Sequence, residues 1–372
     1  MRHDGGDGGT TATSSGEPMP RLIALDRPGG PEFVTDLLRI WDAGDAACPI
    51  DQRLPDEAKR RLMAALRVGD EVESGDALVV ATSGSTGEPK GVVLTHDAVA
   101  ASAEATSRRL AVTDDDHWLA CLPLAHVGGL SVVTRALHTG TDLTVLPGFD
   151  ATAIMASEAT LVSLVATTLP RVDATTFRTI VLGGSRPPAD RPPNSVTTYG
   201  LTETGSGVVY DGVPLDGVEV AIAEPERVGT DGEILLRGPM LLRTYRHGVD
   251  PKTDDGWLPT GDLGRWLPDG RLHVVGRRGD MIITGGENVW PEAVEAALAD
   301  HPQVADVMVR GIPDDEWGHL VEAVVVPRSQ APTLDALRAH VKAEHPAFMA
   351  PRRLVVVDEL PRTALGKLRR SS

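Results

Sequence analysis

Short runs of β-branched and apolar residues alternate with helical stretches through the middle of this 372-residue chain, and this alternation limits the possible folds most strongly. The pattern predicts strands at 78–81, 143–146, 161–165 and 179–182, and a helix that begins near His96. Strands that alternate with helices are typical of an α/β sheet. The length is ample for a large core and favours more than one domain.

The pattern changes after Gly232. Strands predicted at 233–237 and 271–275 are separated by Gly, Pro and Asp turns, which indicates an antiparallel appendage. Beyond Arg277 the spacing of apolar residues predicts a small α+β unit. Its expected elements are a helix from Pro291, strands at 304–309 and 321–326, a helix capped by Thr333, and a strand at 354–357.

The chain is therefore expected to have three parts. Residues 1–20 are rich in Gly, Thr and Ser without an apolar core, so they predict a disordered tail and not a signal peptide. Residues 21–276 form a large N-terminal α/β domain with the β-rich appendage. Residues 277–372 form the small C-terminal α+β domain.

Composition excludes several kinds of partner. The net charge of −17, from 36 Lys+Arg and 53 Asp+Glu, opposes non-specific attraction to nucleic acid or anionic lipid. No segment approaches the roughly 20 apolar residues of a membrane span. The two cysteines, Cys48 and Cys121, have neither metal-ligand spacing nor a disulfide framework, so a reducing, cytoplasmic location is expected.

A Ser/Thr/Gly loop with the sequence TSGSTGEPKG spans residues 82–91, directly after the apolar run 77–81. Such a loop exposes backbone N–H groups and hydroxyl donors that suit the oxygens of a polyphosphate, and Lys90 adds positive charge. It is not a Walker A loop, because Pro89 and Gly91 stand where that motif needs Gly and Ser or Thr. The alternative is an ordinary surface loop, since these residues dominate turns.

Three further motifs carry polar side chains at expected strand ends or turns. In YGLTET, Tyr199 is suited to stack on a base and Glu203 to hold Mg²⁺; the alternative is a turn with a solvated glutamate. In TGD, Asp262 is suited to accept hydrogen bonds from sugar hydroxyls, or to cap its own turn. In PLAHVGG, His126 is either a ligand contact or a satisfied core residue.

Taken together, these motifs resemble the adenylate-forming superfamily of acyl- and aryl-CoA synthetases, luciferases and peptide-synthetase adenylation domains. The matching segments occur in the family's order: TSGSTGEPKG, PLAHVGG, YGLTET, TGD, GRRGD and PRTALGK. Within the superfamily, ITGGENVWP at 283–291 is most similar to the o-succinylbenzoate–CoA ligases of menaquinone biosynthesis. Arg135, in LSVVTRAL, is similar to an arginine of that branch, although an exposed helix arginine is an equal alternative.

The resemblance implies an acid–thiol ligase with two half-reactions. A substrate carboxylate attacks the α-phosphorus of ATP to give acyl-AMP and pyrophosphate, and the CoA thiol then displaces AMP to give a thioester. Mg²⁺ is the implied cofactor, with ATP and CoA as co-substrates and a small carboxylate, o-succinylbenzoate first, as the acid. No nucleic-acid partner is expected.

The resemblance also implies roles for individual residues. Lys367 is the catalytic lysine that bridges the carboxylate and the α-phosphate, and Glu203 holds the metal. The implied nucleotide site has four parts. They are the phosphate loop with Thr82, Ser83, Gly84, Ser85, Thr86, Gly87 and Lys90, the turn Gly183, Gly184 and Ser185, the YGLTET residues Tyr199, Gly200 and Thr202, and the ribose-binding residues Asp262 and Arg277.

The remaining implied roles concern the acid, CoA and domain rotation. His126 lines the acyl pocket as a catalytic residue, and Arg135 binds a second substrate carboxylate. After adenylation the C-terminal domain rotates, so that Gly285 and Gly286 help to form a CoA channel. Relatives often have Asp or Lys at the hinge, whereas this chain has Gly279, which tolerates large φ/ψ changes.

The chain also departs from the superfamily in having a shorter region ahead of the phosphate loop. Part of the N-terminal subdomain is then trimmed, and a homodimer is one way to cover the exposed surface. Four alternative functions stay open at this point. They are a ligase for another carboxylate, an adenylation enzyme that loads a carrier protein, a luciferase-like oxygenase, and a non-catalytic nucleotide-binding protein.

Overall fold

The computed structural model describes residues 19–83, 89–184, 188, 190–223, 231–362, 368 and 370, and of Ser83 only the backbone. All but the last two residues of the predicted disordered tail therefore lie outside the described part. Within the described ranges, none of the helices combines the length and the apolar character that a membrane crossing requires.

The first sheet begins with three parallel strands and one antiparallel strand. These are β1 (Leu22–Leu25), β2 (Ala46–Pro49), β3 (Asp76–Ser83) and β4 (Pro89–Thr95), with the helices α1 (Pro31–Asp42) and α2 (Asp56–Ala65) between the first three. Helix α1 buries Phe33, Leu37 and Ile40, a spacing that places them on one face of the helix. That face packs against β1 and β2.

The second sheet has seven strands in the order β11-β10-β9-β8-β7-β5-β6. Its parallel strands are β5 (His117–Ala120), β6 (Asp142–Val145), β7 (Leu161–Val165), β8 (Thr179–Gly183) and β9 (Ser195–Gly200), followed by the antiparallel β10 (Gly207–Tyr210) and β11 (Val213–Pro214). The accompanying helices are α3 (His96–Arg109), α4 (Val127–Thr139) and α5 (Ala151–Met155). The Thr95 side chain caps α3 by accepting a hydrogen bond from the Ala98 N–H.

The predicted β-rich appendage is a four-stranded antiparallel sheet. Its strands are β12 (Glu219–Ala223), β13 (Gly232–Arg237), β15 (Leu258–Trp266) and β16 (Leu272–Arg277). Between β13 and β15 the chain returns to the first sheet, where the two-residue strand β14 (Thr244–Tyr245) pairs with β4. This return places Tyr245 opposite Val92, close to the glycine-rich loop.

The last part of the chain forms a sheet in the order β18-β17-β20-β19, with β21 parallel to β20. Its elements are β17 (Ile282–Thr284), β18 (Glu287–Val289), α6 (Pro291–Ala299), β19 (Val304–Asp314), β20 (Gly318–Pro327), α7 (Leu334–Glu344) and β21 (Arg353–Val356). Val294 and Leu298 of α6 and Leu337 and Val341 of α7 are buried in one apolar cluster. All members of this cluster lie between residues 282 and 354.

The predicted α/β class is confirmed, and several elements begin or end where the sequence predicts. Strand β7 matches its predicted range, α6 begins at Pro291, and Thr333 caps α7. Strand β4 was not predicted, because Pro89 and Gly91 at its start are unfavourable strand residues. The domain boundary at residue 277 stays a prediction.

Candidate nucleotide and acyl site

The glycine-rich loop connects the two strands of a hairpin. Strands β3 and β4 are antiparallel, with Thr82 opposite Lys90, and the Thr82 hydroxyl donates to the Lys90 carbonyl at 3.4 Å. This pairing fixes the two ends of the loop. Its phosphate contacts stay a prediction, because the side chain of Ser83 and the whole of Gly84, Ser85, Thr86 and Gly87 lie outside the described residues.

Three predicted nucleotide-binding residues meet in one hydrogen-bonded group. The Tyr199 hydroxyl, near the end of β9, donates to Oδ2 of Asp262 at 2.9 Å. Nε of Arg277 donates to Oδ1 of the same carboxylate at 3.1 Å. The Asp262 side chain is only 12% exposed, whereas that of Arg277 is 48% exposed. The carboxylate therefore links two sheets, and the alternative in which it caps its own turn is wrong.

Burial, together with the neighbouring Asp262 carboxylate, raises the pKa of the Tyr199 phenol well above its ordinary value. Tyr199 is consequently protonated at neutral pH and acts as a hydrogen-bond donor to Asp262. Because its hydroxyl is occupied in this way, the ring is the part of Tyr199 that remains to contact a ligand.

At three predicted glycines near this group, close neighbours or the backbone conformation favour glycine over other residues. A Cβ on Gly200 would lie 2.3 Å from the Ser206 carbonyl oxygen, and one on Gly183 would lie 2.9 Å from Oγ1 of Thr198. Gly184 has a φ of 80°, a conformation that favours glycine. Their contact with adenine stays a prediction, as does that of Ser185, which lies outside the described residues.

Glu203 lies in a short 3₁₀ turn, Thr202–Thr204, that directly follows β9. Its Oε1 accepts a hydrogen bond from the Tyr245 hydroxyl at 2.8 Å. The Tyr245 ring lies under Lys90, whose Nζ is 5.2 Å from the ring centroid. Tyr245 thus contacts both the candidate metal ligand and the candidate phosphate lysine. Glu203 therefore lies in a turn and is partly exposed, but one of its carboxylate oxygens is held by the protein.

The donor set around Glu203 fits Mg²⁺. Among the described residues, Oε2 of Glu203 has no hydrogen-bond or ion-pair partner, while Oε1 is held by Tyr245. The described part of the chain has no group of three or more His, Cys, Asp or Glu that could hold a metal ion. Mg²⁺ commonly takes one or two carboxylates and completes its shell with water and substrate phosphates.

His126 is the residue immediately before α4 and lies beside an ion pair. Its Nε2 is 3.4 Å from Nη2 of Arg53 and 3.6 Å from Oδ2 of Asp51. Burial lowers the pKa of the imidazole despite the opposing Asp51 carboxylate, so His126 is neutral at neutral pH. The side chain is 26% exposed and has polar neighbours, so it is partly buried, and its contact with an acyl group stays a prediction.

Arg135 is buried inside the protein, with only 2% of the residue exposed. Its guanidinium lies 4.8 Å from the Trp118 ring, and Nη2 donates to Oγ of Ser206 at 3.1 Å. Nε and Nη1 have no hydrogen-bond partner among the described residues. The alternative of an exposed helix arginine is wrong, and two donors of this buried cation are unpaired among the described residues.

The glycines predicted to serve the hinge and the CoA channel differ in their local requirements. Gly279 lies in a 3₁₀ turn, has no left-handed φ, and has open space where a Cβ would stand. Gly285 and Gly286, with φ of 59° and 84°, form the two-residue turn between β17 and β18. A Cβ on Gly285 would also lie 2.7 Å from the Trp317 ring. Their predicted roles stay predictions, and Lys367 lies outside the described residues.

Comparison with known families decides the superfamily. The sequence model of the family described as "AMP-binding enzyme" matches residues 45–246, and that of the "AMP-binding enzyme C-terminal domain" matches residues 293–367. The chain belongs to the AMP-binding enzyme family. A Mycobacterium tuberculosis protein named probable 2-succinylbenzoate–CoA ligase is 40% identical over 343 residues, which cover 84% of this chain and 87% of that protein.

Solved structures agree with this membership. The o-succinylbenzoate CoA synthetase of Bacillus subtilis in complex with its acyl-adenylate intermediate superimposes with a TM-score of 0.85 at 27% identity, over 95% of this chain and 87% of that one. The same synthetase in complex with ATP and a magnesium ion gives a TM-score of 0.83 at 27% identity, over 96% and 89% of the two chains. The predicted resemblance and fold are thereby confirmed.

The sequence prediction missed several residues in this site of the AMP-binding enzyme. Tyr245 lies in a two-residue strand with no periodicity to mark it, and Ser206 and Trp118 contact Arg135 only through the fold. Asp51 and Arg53 follow β2, a short apolar strand that offered the one usable signal, since polar residues at the carboxyl end of a parallel strand often line a site.

Proposed function

We propose that this AMP-binding enzyme is an ATP-dependent acid–CoA ligase that converts 2-succinylbenzoate to its CoA thioester in menaquinone biosynthesis. The observation that carries the proposal is the group formed by Tyr199, Asp262 and Arg277 beside the Glu203–Tyr245 pair, at the fixed ends of the glycine-rich loop. The names of the similar ligases from M. tuberculosis and B. subtilis support the substrate.

In the first half-reaction a carboxylate oxygen of the acid attacks the α-phosphorus of ATP. The bond from that phosphorus to the bridging oxygen breaks, pyrophosphate leaves, and acyl-AMP forms. An anion must approach a polyanion, so fixed positive charge and N–H donors lower the barrier. We assign Lys367 to the carboxylate and α-phosphate, Thr202 to the α-phosphate, and Lys90 with the loop to the departing phosphates.

The other residues bind and orient the nucleotide. Asp262 and Arg277 hold the ribose, and the Tyr199 ring frames adenine with the turn at 183–185. Glu203 would hold Mg²⁺, which when bound neutralises charge on the phosphates of ATP. In the second half-reaction the sulfur of the CoA thiolate attacks the acyl carbonyl and the carbon–oxygen bond to AMP breaks. Gly285 and Gly286 line the CoA path after rotation at Gly279.

Arg135 is our candidate for the carboxylate of 2-succinylbenzoate that is not activated. Its burial removes competing water, and Nε and Nη1 offer two donors to a carboxylate. His126 precedes the same helix and is neutral, so it contacts the acyl group without attracting the carboxylate into an ion pair. Together these residues favour an acid with a second negative charge.

The test of the function is a panel of carboxylic acids with ATP and Mg²⁺, scored for pyrophosphate release and for CoA-dependent AMP formation. We expect 2-succinylbenzoate to be the preferred acid. Lys367→Ala is expected to abolish acyl-AMP formation but to retain thioester formation from supplied acyl-AMP. Absence of pyrophosphate release with every acid would refute the ligase assignment.

Arg135 is tested with a matched pair of acids, 2-succinylbenzoate and a monocarboxylate of the same ring. Arg135→Gln keeps a long polar side chain but loses the charge, so KM for the dicarboxylate should rise far more than KM for ATP or for the monocarboxylate. Circular dichroism verifies folding of the variant. Equal increases in all three KM values would reject the assignment.

We also infer a cytoplasmic location, because Cys48 and Cys121 are both free and buried. Burial raises the pKa of each thiol to about 12, so neither is a reactive thiolate. A homodimer remains our expectation, and analytical ultracentrifugation across a concentration series tests it.

A further inference from the structure

Arg370, near the end of the chain, is enclosed by three carboxylates. Its Nη1 lies 3.1 Å from Oδ2 of Asp280 and 3.1 Å from Oε1 of Glu292, and its Nη2 lies 2.7 Å from Oε2 of Glu295. Nε also donates to the Val309 carbonyl at 3.2 Å. The Arg370 side chain is only 13% exposed. This is a partly desolvated network and not a surface ion pair of little energetic value.

The network joins separate parts of the chain. Asp280 is in the 3₁₀ turn beside the candidate hinge Gly279, while Glu292 and Glu295 are on α6. Glu295 also accepts from the Val309 N–H of β19 at 2.8 Å. Burial alone would lower the pKa of Arg370, but the surrounding carboxylates raise it, so the cation is retained. Arg370 thus ties the end of the chain to the hinge turn and to α6.

The network also reaches the strand that leads into the hinge. A Cβ on Gly276, in β16, would lie 2.7 Å from Oε2 of Glu292. Glu292 is therefore packed directly against the backbone of β16. A change in the orientation of α6 relative to β16 must move Glu292, and Arg370 with it.

Two more contacts anchor the chain around the catalytic lysine. Arg362 and Leu368 form an isolated antiparallel bridge, and Arg362 makes an ion pair with Asp306. Leu368 packs on an apolar cluster that includes Met308. Lys367 is the residue immediately before Leu368, and Arg370 follows it by three positions. A span of three residues is at most about 11 Å, so anchoring Arg370 restricts where Lys367 can be placed.

We propose that Arg370 is a positioning residue for adenylation, which fixes the lysine-bearing end of the chain to the hinge turn and so sets the placement of Lys367. The inference rests on the proposed function. Lys367 serves only the first half-reaction, whereas CoA transfer uses the turn at Gly285 and Gly286. Loss of the Arg370 network therefore acts selectively on acyl-AMP formation.

The test measures each half-reaction in Arg370→Ala and Arg370→Lys. For Arg370→Ala, kcat/KM for acyl-AMP formation is expected to fall roughly 10- to 100-fold, the size of effect that misplacement of a catalytic group produces. Thioester formation from supplied acyl-AMP should change by less than about threefold. Arg370→Lys should give an intermediate loss, because a lysine keeps the charge but cannot bridge three carboxylates.

A double variant separates positioning from general destabilisation. Lys367→Ala is expected to retain thioester formation from supplied acyl-AMP, so if Arg370 acts only through Lys367, adding Arg370→Ala to Lys367→Ala should leave that retained activity unchanged. The matched control is Arg353→Ala, which breaks an ion pair with the buried Glu322 in the same part of the chain. The control should leave both half-reactions near the wild-type rate.

Three results would overturn the proposal: unchanged acyl-AMP formation in Arg370→Ala, equal losses in both half-reactions, or a loss of thioester formation when Arg370→Ala is added to Lys367→Ala. If Arg370→Ala does not fold, Glu295→Gln removes one charge of the network and should give a smaller loss confined to acyl-AMP formation. The proposed function fails separately, since a wild-type protein without acyl-AMP formation would reject it before any variant is compared.

Discussion

Replacement of Tyr245 by Phe tests the contact that joins Glu203, the candidate metal ligand, to Lys90. The change removes only the hydroxyl that donates to Glu203 at 2.8 Å and keeps the ring 5.2 Å from Nζ of Lys90. Loss of a residue that orients a metal ligand typically weakens metal binding about 10- to 100-fold, and the lower end applies because Glu203 is partly exposed. We therefore expect about tenfold weaker binding of Mg–ATP.

The assay is isothermal titration of ATP with and without Mg²⁺, which does not depend on turnover. We expect the tenfold loss in Tyr245→Phe only when Mg²⁺ is present, because the hydroxyl acts by orienting Glu203. Tyr245→Leu also removes the ring under Lys90, so it should weaken ATP binding further in both conditions. Burial raises the pKa of Tyr245, so the hydroxyl remains a donor throughout the neutral range.

A double-mutant cycle gives the result that would refute this reasoning. If Tyr245 acts through Glu203, the loss caused by Tyr245→Phe should disappear in a Glu203→Gln background. Additive losses, or an equal loss without Mg²⁺, would show that the hydroxyl supports the site in another way. Unchanged melting temperatures of the single variants are the control for folding.

Three further predictions concern other residues. Asp262→Asn removes the charge that holds Arg277, and KM for ATP should rise roughly 10- to 100-fold in steady-state assays while KM for the acid is unchanged. Gly285→Ala should destabilise the protein by about 1–3 kcal/mol in thermal unfolding, because φ is 59° and the methyl group crowds a tryptophan ring. Gly279→Ala should instead stabilise it slightly, by about 0.4–1 kcal/mol. Burial disfavours the ionised form of Asp116, but hydrogen bonds, including two from Arg178, lower the pKa of its carboxyl group. The ionised carboxylate therefore stabilises the fold above the unfolded-state pKa, and this stabilisation is lost as pH falls below about 4. Asp116→Asn should flatten that pH dependence of stability in urea unfolding.

The sequence predicts elements whose signals are local. Thr333 and Pro291 mark helix starts because a hydroxyl caps free N–H groups and proline fits the first turn. Strand β14 has no such signal, because it is two residues long and its partner β4 lies about 150 positions earlier in the chain. Pairing over that separation is decided by the folded core and not by neighbouring residues.

In the candidate site, too, local sequence signals mark some residues, whereas the contacts of others depend on the fold. Asp262 could be singled out because it follows a glycine in a predicted turn, but the structure places it within β15. Its bond to Tyr199 joins residues 63 positions apart and required the fold. The environment of Arg135 was equally hidden. Residues 129–136 of α4 are all buried, so an arginine in that segment lies inside the protein even though its residue type favours the surface.

The described conformation does not require glycine at position 279, which points to a role for Gly279 in a second conformation. Its φ is outside the left-handed region and a Cβ there would meet nothing within 4 Å, so the described conformation has room for a side chain such as that of alanine. Glycine in such a position lowers stability through the entropy of the unfolded chain. We propose that the benefit of glycine arises in a second conformation, reached by rotation about this residue. The adjacent Asp280 binds Arg370, so such a rotation would also affect the end of the chain.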